Sequence, residues 1–171
     1  EATSSASRLE PVQGLDNRRM PADFEPLHDA RADCVLCRQH TGVPLWQDAA
    51  WRVIRAEDGD FPAYYRVIAR HHVGEFSALL APERQRCMDL VCAIERVLIE
   101  CLRPTKVNLA ALGNMVPHLH WHVIARFDWD SRFPQAVWGP RQREVPGGAL
   151  ALLGLSLDEL DAAVVEALAS A

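Results

Sequence analysis

The sequence has no apolar run that approaches the roughly 20 residues of a membrane-spanning helix. It also has no excess of positive charge, because the formal net charge is -5. Without a basic field it would not hold a long nucleic acid non-specifically, although one nucleotide in a locally basic pocket fits this charge. There is no positively charged start followed by an apolar stretch, so no signal peptide is predicted. Neither a membrane nor a long nucleic acid is expected as a partner.

The cysteines do not form a secreted disulfide pattern, since there are five of them and three fall in one predicted helix. A reducing compartment, and hence a cytoplasmic location, is inferred. Cys34 and Cys37 form a Cys-x-x-Cys, a spacing typical of a redox pair or half of a tetrahedral zinc site. Two ordinary small apolar residues would give the same spacing. In a reducing compartment, metal binding is favoured over a stable bridge.

Three histidines alternate with apolar residues in the stretch from Pro117 to Arg126. Period-two alternation predicts a β-strand, because successive side chains on a strand point to opposite faces. One face would carry His118, His120 and His122, and the other an apolar layer. An ordinary solvated face would be built from Thr, Lys or Glu instead. The pattern therefore predicts a face that binds or reacts.

The remaining periodicity gives the fold class. Strands are predicted at residues 43–47, 51–56, 64–69 and 106–112, with a long helix over residues 82–103. A turn at Gly113-Asn114 makes the last two strands antiparallel neighbours. A capping box from Ser156 to Glu159 starts a terminal helix. This order indicates an α+β fold: an antiparallel sheet of about five strands, one long helix packed on it, and a C-terminal helix.

Three aligned imidazoles admit two chemistries. All three could bind one metal, as in zinc hydrolases, but their row would span about 13.6 Å, too long for bonds of roughly 2.1 Å to one ion. Alternatively, one is an anchor, one a nucleophile and one a hydrogen-bond donor. Neutral imidazole attacks phosphorus well near pH 7 when an acceptor fixes its tautomer. Gly113 and Asn114 would leave room and donors for phosphate oxygens.

The stretch from His118 to Ile124 resembles the signature of the histidine-triad (HIT) family, His-φ-His-φ-His-φ-φ with φ apolar. The similarity extends from Cys34 to about Phe133. The resemblance implies nucleotidyl transfer, in which His120 attacks the α-phosphorus of a nucleotide conjugate and water cleaves the nucleotidyl-histidine. It also implies that His122 donates to phosphate and that His118 orients the site. Asn108 and Asn114 would hold ribose or phosphates, beside Gly113.

The same resemblance implies a cofactor and an assembly. Many bacterial members hold a structural zinc, and the matching residues here are Cys34, Cys37, His72 and His118, an acceptable Cys₂His₂ set. A homodimer with sheets joined across a two-fold axis is also implied. The substrate stays open among dinucleoside polyphosphates such as diadenosine tetraphosphate, nucleoside phosphoramidates and adenylylated amines.

Three positions depart from the family pattern. Asn114 stands where several members have Gln, which bears on leaving-group activation. Tyr64 stands where many have a further histidine, so a fourth imidazole is missing. Ala69 replaces the usual Pro, an exchange expected to affect only the end of its strand.

The expected organisation is a poorly ordered arm at residues 1–32, a HIT-like catalytic domain at 33–145 and a C-terminal helical extension at 146–171. In the aperiodic segment 128–143, Trp129 or Trp138 is expected to cover the pocket and contact substrate, although packing on the sheet edge is an alternative. The main competing function is a zinc-stabilised nucleotide-binding or interaction protein without useful turnover. A metal hydrolase ranks third.

Overall fold

The computed structural model describes residues 30–38 and 41–171, and a five-stranded antiparallel sheet organises them. The strands are β1 (Val43–Gln47), β2 (Trp51–Arg55), β3 (Tyr64–Ala69), β4 (Lys106–Ala110) and β5 (His120–Arg126). Their order across the sheet is β1-β2-β3-β5-β4, and every neighbouring pair is antiparallel. The predicted α+β class is confirmed. Residues 1–29 of the predicted arm lie outside the described residues.

The helices are α1 (Val35–Arg38), α2 (Ala81–Leu102) and α3 (Leu157–Ala169), with short 3₁₀ turns at Phe76–Ala78 and Ala149–Leu152. The long helix begins where the Glu83 carboxylate accepts the Leu80 N–H at 2.7 Å, and it ends at Arg103, whose φ of 48° is left-handed. The predicted capping box opens α3, with the Glu159 N–H donating to Ser156 Oγ at 3.3 Å. Within residues 30–38 and 41–171, no helix is long and apolar enough to cross a bilayer.

The two faces of the sheet have different neighbours. One face packs on α2 and α3 in a single apolar cluster, as the strand alternation predicted. From the strands it contains Trp51, Val53, Tyr65, Val67, Val123 and Ala125, and from the helices Leu90, Ile94, Leu98, Leu160 and Val164. The opposite face is therefore free to carry polar groups, and the histidines of β5 lie there.

The C-terminal helix is joined to the sheet by a buried polar contact as well as by apolar packing. The Asp161 carboxylate accepts from Arg55 Nε at 2.9 Å and from the Tyr65 hydroxyl at 2.8 Å. Burial raises the pKa of Asp161, although both partners favour its charged form. Helix α3 thus shares one core with the strands.

The connection between β4 and β5 differs from the predicted turn. β4 ends at Ala110 and β5 begins at His120, so residues 111–119 form a loop that places His118 before the strand. Pro117 cannot donate to a ladder, and the Leu119 N–H donates to Val73 O at 2.7 Å. The predicted antiparallel pairing of the two strands is confirmed, but the tight turn and the inclusion of His118 in the strand are wrong.

Candidate functional site

His120 and His122 lie side by side on the sheet face that points away from the helices, with ring centroids 4.7 Å apart. The His120 Nδ1 lies 2.7 Å from the backbone carbonyl of His118. A carbonyl oxygen only accepts, so Nδ1 carries the hydrogen and Nε2 keeps a free lone pair. Burial lowers the pKa of His120, and the charge of Arg66 adds to this. His120 is therefore a neutral imidazole with one nitrogen available for attack.

His122 differs from His120 in which ring nitrogen carries the hydrogen. Its Nδ1 lies 2.5 Å from the Tyr64 hydroxyl, and Arg66 Nη2 donates to the same oxygen at 3.4 Å. Burial raises the pKa of Tyr64, so the phenol keeps its proton. Because guanidinium is only a donor, the Tyr64 O–H is left to donate to His122 Nδ1. The His122 Nε2 then carries the hydrogen, and burial lowers the pKa of this ring to about 3. His122 can donate but not attack.

Four further side chains form a cluster that could hold a metal ion: Cys34, Cys37, His72 and His118, whose ligand atoms all lie within 4.8 Å of one another. Both sulfurs lie 3.4 Å from His118 Nδ1, and Cys37 Sγ lies 3.4 Å from His72 Nδ1. Ligand bonds of about 2.3 and 2.1 Å at a tetrahedral zinc would put sulfur and nitrogen about 3.6 Å apart. The donor set and its spacing therefore fit a tetrahedral metal.

The hydrogen bonds around His118 also suit a metal ligand. Its Nε2 lies 2.8 Å from Ala69 O, so Nε2 carries the hydrogen and the Nδ1 lone pair faces the thiols. Burial lowers the pKa of His118 to about 4, which keeps the ring neutral. Ala69 replaces the family's Pro, and in addition to its carbonyl contact with His118 its backbone N–H donates to Leu119 O at 3.1 Å.

Asn108 lies on the histidine face of β4, in register with Ile124. Its Oδ1 accepts from Arg126 Nη1 at 2.7 Å, and Arg126 is itself held by Asp130 at 2.8 Å with both side chains 2% exposed. This fixes the Asn108 amide with its NH₂ group free to donate to a ligand. A cavity of about 460 Å³ beside Asn108 is also lined by Ala110, Ile124, Val137 and Trp138.

The two predicted tryptophans point to different places. The Trp138 ring lies 5.2 Å from the His122 ring, edge to face, and is 54% exposed. The Trp129 ring stacks on Phe127 at 4.5 Å, and Phe127 packs against the cluster on the helix side. The structure thus brings Trp138, rather than Trp129, to a histidine.

Gly113 and Asn114 lie in the 111–119 loop. Gly113 has a φ of 74°, a conformation that favours glycine, and the Asn114 side chain is exposed. They stand ahead of the histidines in the chain, as predicted, but in a longer connection than expected.

Comparison with known proteins places this arrangement in a family. The HIT domain model matches residues 39–129, more than half of the chain. The chain belongs to the HIT family. Membership supports a nucleotide-binding, hydrolase-type function in general terms. A comparison with curated proteins gives no match.

Solved HIT structures share the fold. A histidine triad protein from Marinobacter aquaeolei is 26% identical with a TM-score of 0.60, over 76% of this chain and 90% of its own. One from Bradyrhizobium japonicum is 25% identical with a TM-score of 0.60, over 75% and 91%. A zinc-bound HIT family protein from Mycobacterium smegmatis is 18% identical with a TM-score of 0.53, over 81% and 94%.

Sequence reasoning missed two features of this HIT site. The sequence identified Tyr64 only as a position where many HIT members have a further histidine, whereas its hydroxyl is hydrogen-bonded to His122 Nδ1. Arg66 was not singled out, although β3 pairs it with His122 in register. The available signal was period two, because Tyr64, Arg66 and Ile68 alternate with the apolar core residues of the same strand.

Proposed function

We propose that this HIT protein cleaves nucleoside 5'-phosphate conjugates through a covalent nucleotidyl-histidine on His120. The observation that carries the proposal is the 2.7 Å contact of His120 Nδ1 with His118 O, which leaves the Nε2 lone pair free beside His122. A neutral imidazole of fixed tautomer is the nucleophile that phosphoryl chemistry needs.

In the first step, His120 Nε2 forms a bond to the α-phosphorus while the bond from phosphorus to the leaving group breaks. The leaving group departs with that electron pair, and the His120 ring, now positive, donates its Nδ1–H more strongly to the His118 carbonyl. In the second step, water attacks the same phosphorus and loses a proton. The phosphorus–nitrogen bond breaks, which releases the nucleoside monophosphate and restores the neutral ring.

The neighbouring groups would bind and orient the substrate. His122, through Nε2–H, would donate to an α-phosphate oxygen as charge develops in the transition state. The free NH₂ of Asn108 would bind ribose or phosphate, and Gly113 and Asn114 would supply backbone and amide donors. Trp138 would cover the leaving group or base. For Trp129, which stacks on Phe127, a substrate contact stays a prediction.

We further propose zinc as the metal of the Cys34, Cys37, His72 and His118 cluster. The Cys₂His₂ donor set, the 3.4 Å contacts and the zinc bound by the relative from Mycobacterium smegmatis support this. A closed four-ligand site of this kind is structural, since it leaves no open position for water. It would link the segment around α1 to the loop that carries His118.

A homodimer in the cytoplasm completes the proposal. The edge strand β4 pairs with β5 on one side and has no strand partner on the other among the residues described. Leu109 and Leu112, near this edge, are exposed, as is Ile99 on α2. Unpaired edges with apolar neighbours are suited to pairing with a second chain. Sedimentation equilibrium that gives a monomer mass at micromolar concentration would contradict this part.

The central test is mass spectrometry after rapid, acid-free quenching with adenosine and guanosine conjugates. We expect a nucleotidyl adduct on the peptide that contains His120, and none in His120→Gly. His71→Gly, which lies outside the proposed site, is the matched control and should keep the adduct. Loss of the His120 nucleophile should cost on the order of 10⁴-fold in kcat. Tight nucleotide binding without adduct or turnover would instead favour a binding protein.

A further inference from the structure

Arg66 sits in the middle of β3 directly opposite His122, in the antiparallel register that pairs the two residues. Residues paired in this way have side chains about 5 Å apart on the same face of the sheet. Arg66 therefore projects on the histidine face, two residues along β3 from Ile68, which pairs with His120. It brings a permanent positive charge to that face.

This charge has no counter-ion in the described part of the chain, where no carboxylate lies within ion-pair distance of Arg66. Its Nε is buried without a hydrogen-bond partner. Its Cζ lies 5.0 Å from the centroid of the Tyr64 ring, and Nη2 reaches the Tyr64 hydroxyl at 3.4 Å. The guanidinium is oriented by a neutral ring, which does not neutralise it.

Two other arginines of the sheet, Arg55 and Arg126, each contact a carboxylate. Arg55 has Asp161 at 2.9 Å and Arg126 has Asp130 at 2.8 Å. A half-buried charge without a partner costs folding free energy, so its place beside a reaction site calls for a ligand that neutralises it. The planar fork of a guanidinium matches the oxygens of a phosphate group.

The position of Arg66 indicates which phosphate it serves. In the proposed mechanism, His120 attacks the α-phosphorus and His122 donates to an oxygen of the same phosphate, which carries a single charge. Arg66 lies to the side of His122 away from β4, because β3 and β4 flank β5 on opposite sides. It can thus reach a group attached to the α-phosphate while His122 holds the α-phosphate itself.

We propose that Arg66 contacts the substrate at the phosphate adjacent to the one attacked by His120, and so selects phosphoanhydride conjugates over those with an uncharged leaving group. This inference rests on the proposed function and narrows its substrate class. Dinucleoside polyphosphates are then preferred to nucleoside phosphoramidates, whose amine leaving group offers no anion to the guanidinium.

The test compares Arg66→Gln and Arg66→Lys with Arg96→Gln, which makes the same charge change at an exposed position of α2. Values of kcat/KM are measured for diadenosine tetraphosphate and for an adenosine phosphoramidate with a neutral amine. Arg66→Gln should lower the first by about 10²-fold and the second by less than about 3-fold. Arg66→Lys should keep part of the preference, since it retains the charge without the fork. Arg96→Gln should change neither.

A binding measurement separates this inference from the proposed function. The ratio of Kd values for AMP and ADP, measured by calorimetry, needs no turnover. Wild type should prefer ADP, and Arg66→Gln should lose that preference while its circular dichroism and melting temperature show an intact fold. If wild type turns over neither substrate, the proposed function fails, and the ADP preference still decides the role of Arg66. Equal losses for both substrates with an unchanged AMP-to-ADP ratio would overturn the inference.

Discussion

Removing one oxygen atom, in Tyr64→Phe, should reduce turnover while leaving the fold in place. The Tyr64 hydroxyl is the partner of His122 Nδ1 at 2.5 Å, and both side chains are buried. Without it, Nδ1 becomes a buried acceptor with no donor, which costs about 1–3 kcal/mol. The ring can recover that energy by moving its hydrogen to Nδ1, but Nε2 then no longer donates to the phosphate.

The expected loss follows from that exchange. Removal of one transition-state donor costs about 10²- to 10³-fold in kcat, and a mixture of tautomers should cost less, about 10- to 10²-fold. KM should change little, because the donor acts mainly in the transition state. Steady-state kinetics on a dinucleoside polyphosphate measures both values. Tyr64→His, which restores a nitrogen donor at this position, should recover part of the rate.

The neighbouring residue supplies a matched control. Tyr65 points to the opposite face, where its hydroxyl donates to Asp161 at 2.8 Å. Tyr65→Phe makes the same chemical change and should lower the free energy of unfolding by about 1–3 kcal/mol while leaving kcat unchanged. If Tyr64→Phe keeps the wild-type kcat, or if both variants lose kcat equally, the assigned tautomer of His122 is wrong.

Three other outcomes follow from the same contacts. Cys34→Ser should lower both the zinc content and the melting temperature, because the free energy of metal binding is coupled to folding. Cys92→Ser, on the exposed side of α2, should lower neither. Full stability of the metal-free protein would contradict the structural role of the metal. Burial alone would raise the pKa of Asp130, but its bonds with Arg126 and with backbone N–H groups lower that pKa overall. The charged carboxylate therefore stabilises the folded protein above about pH 4, and this stabilisation is lost as the pH falls through the depressed pKa. Urea unfolding between about pH 5 and pH 3 should accordingly show a shallower decline in Asp130→Asn, and an unchanged pH slope would refute this. Trp138→Ala should change KM values and relative rates among substrates, and Trp129→Ala should change them less; the reverse ranking would point to Trp129 as the substrate contact.

The fold could be predicted from the sequence because its signals are local. Alternation placed β3 and β5, the 3.6-residue period placed α2, and the capping box placed the start of α3. Each of these patterns reflects one element and the apolar layer it covers. The boundaries that failed, at Ala110 and His120, depend on contacts with Val73 and with the cysteines, which are remote in sequence.

The site was predictable only in part, since its chemistry depends on register between strands. A single strand does not tell which residue of β3 lies opposite His122, so the proximity of Arg66 and the hydroxyl of Tyr64 were not foreseen. The segment 128–143 has no period at all. Within it, the Asp130 carboxylate accepts from Arg126 and from the backbone N–H groups of Arg132 and Phe133, and no local sequence pattern predicts these bonds.

The hydrogen-bond partners of the three triad rings leave each ring with a different capacity toward a substrate. His118 uses Nε2 on Ala69 O and turns Nδ1 toward the cysteines, so neither nitrogen is available to a substrate. His122 receives the Tyr64 proton at Nδ1 and keeps a hydrogen on Nε2. In His120, Nδ1 is bound to a carbonyl and the Nε2 lone pair is free. The carbonyl belongs to His118, so the ring of this residue belongs to the cluster that could hold a metal, and its backbone fixes the tautomer of the proposed nucleophile. Loss of that cluster should consequently disturb His120 as well as the fold.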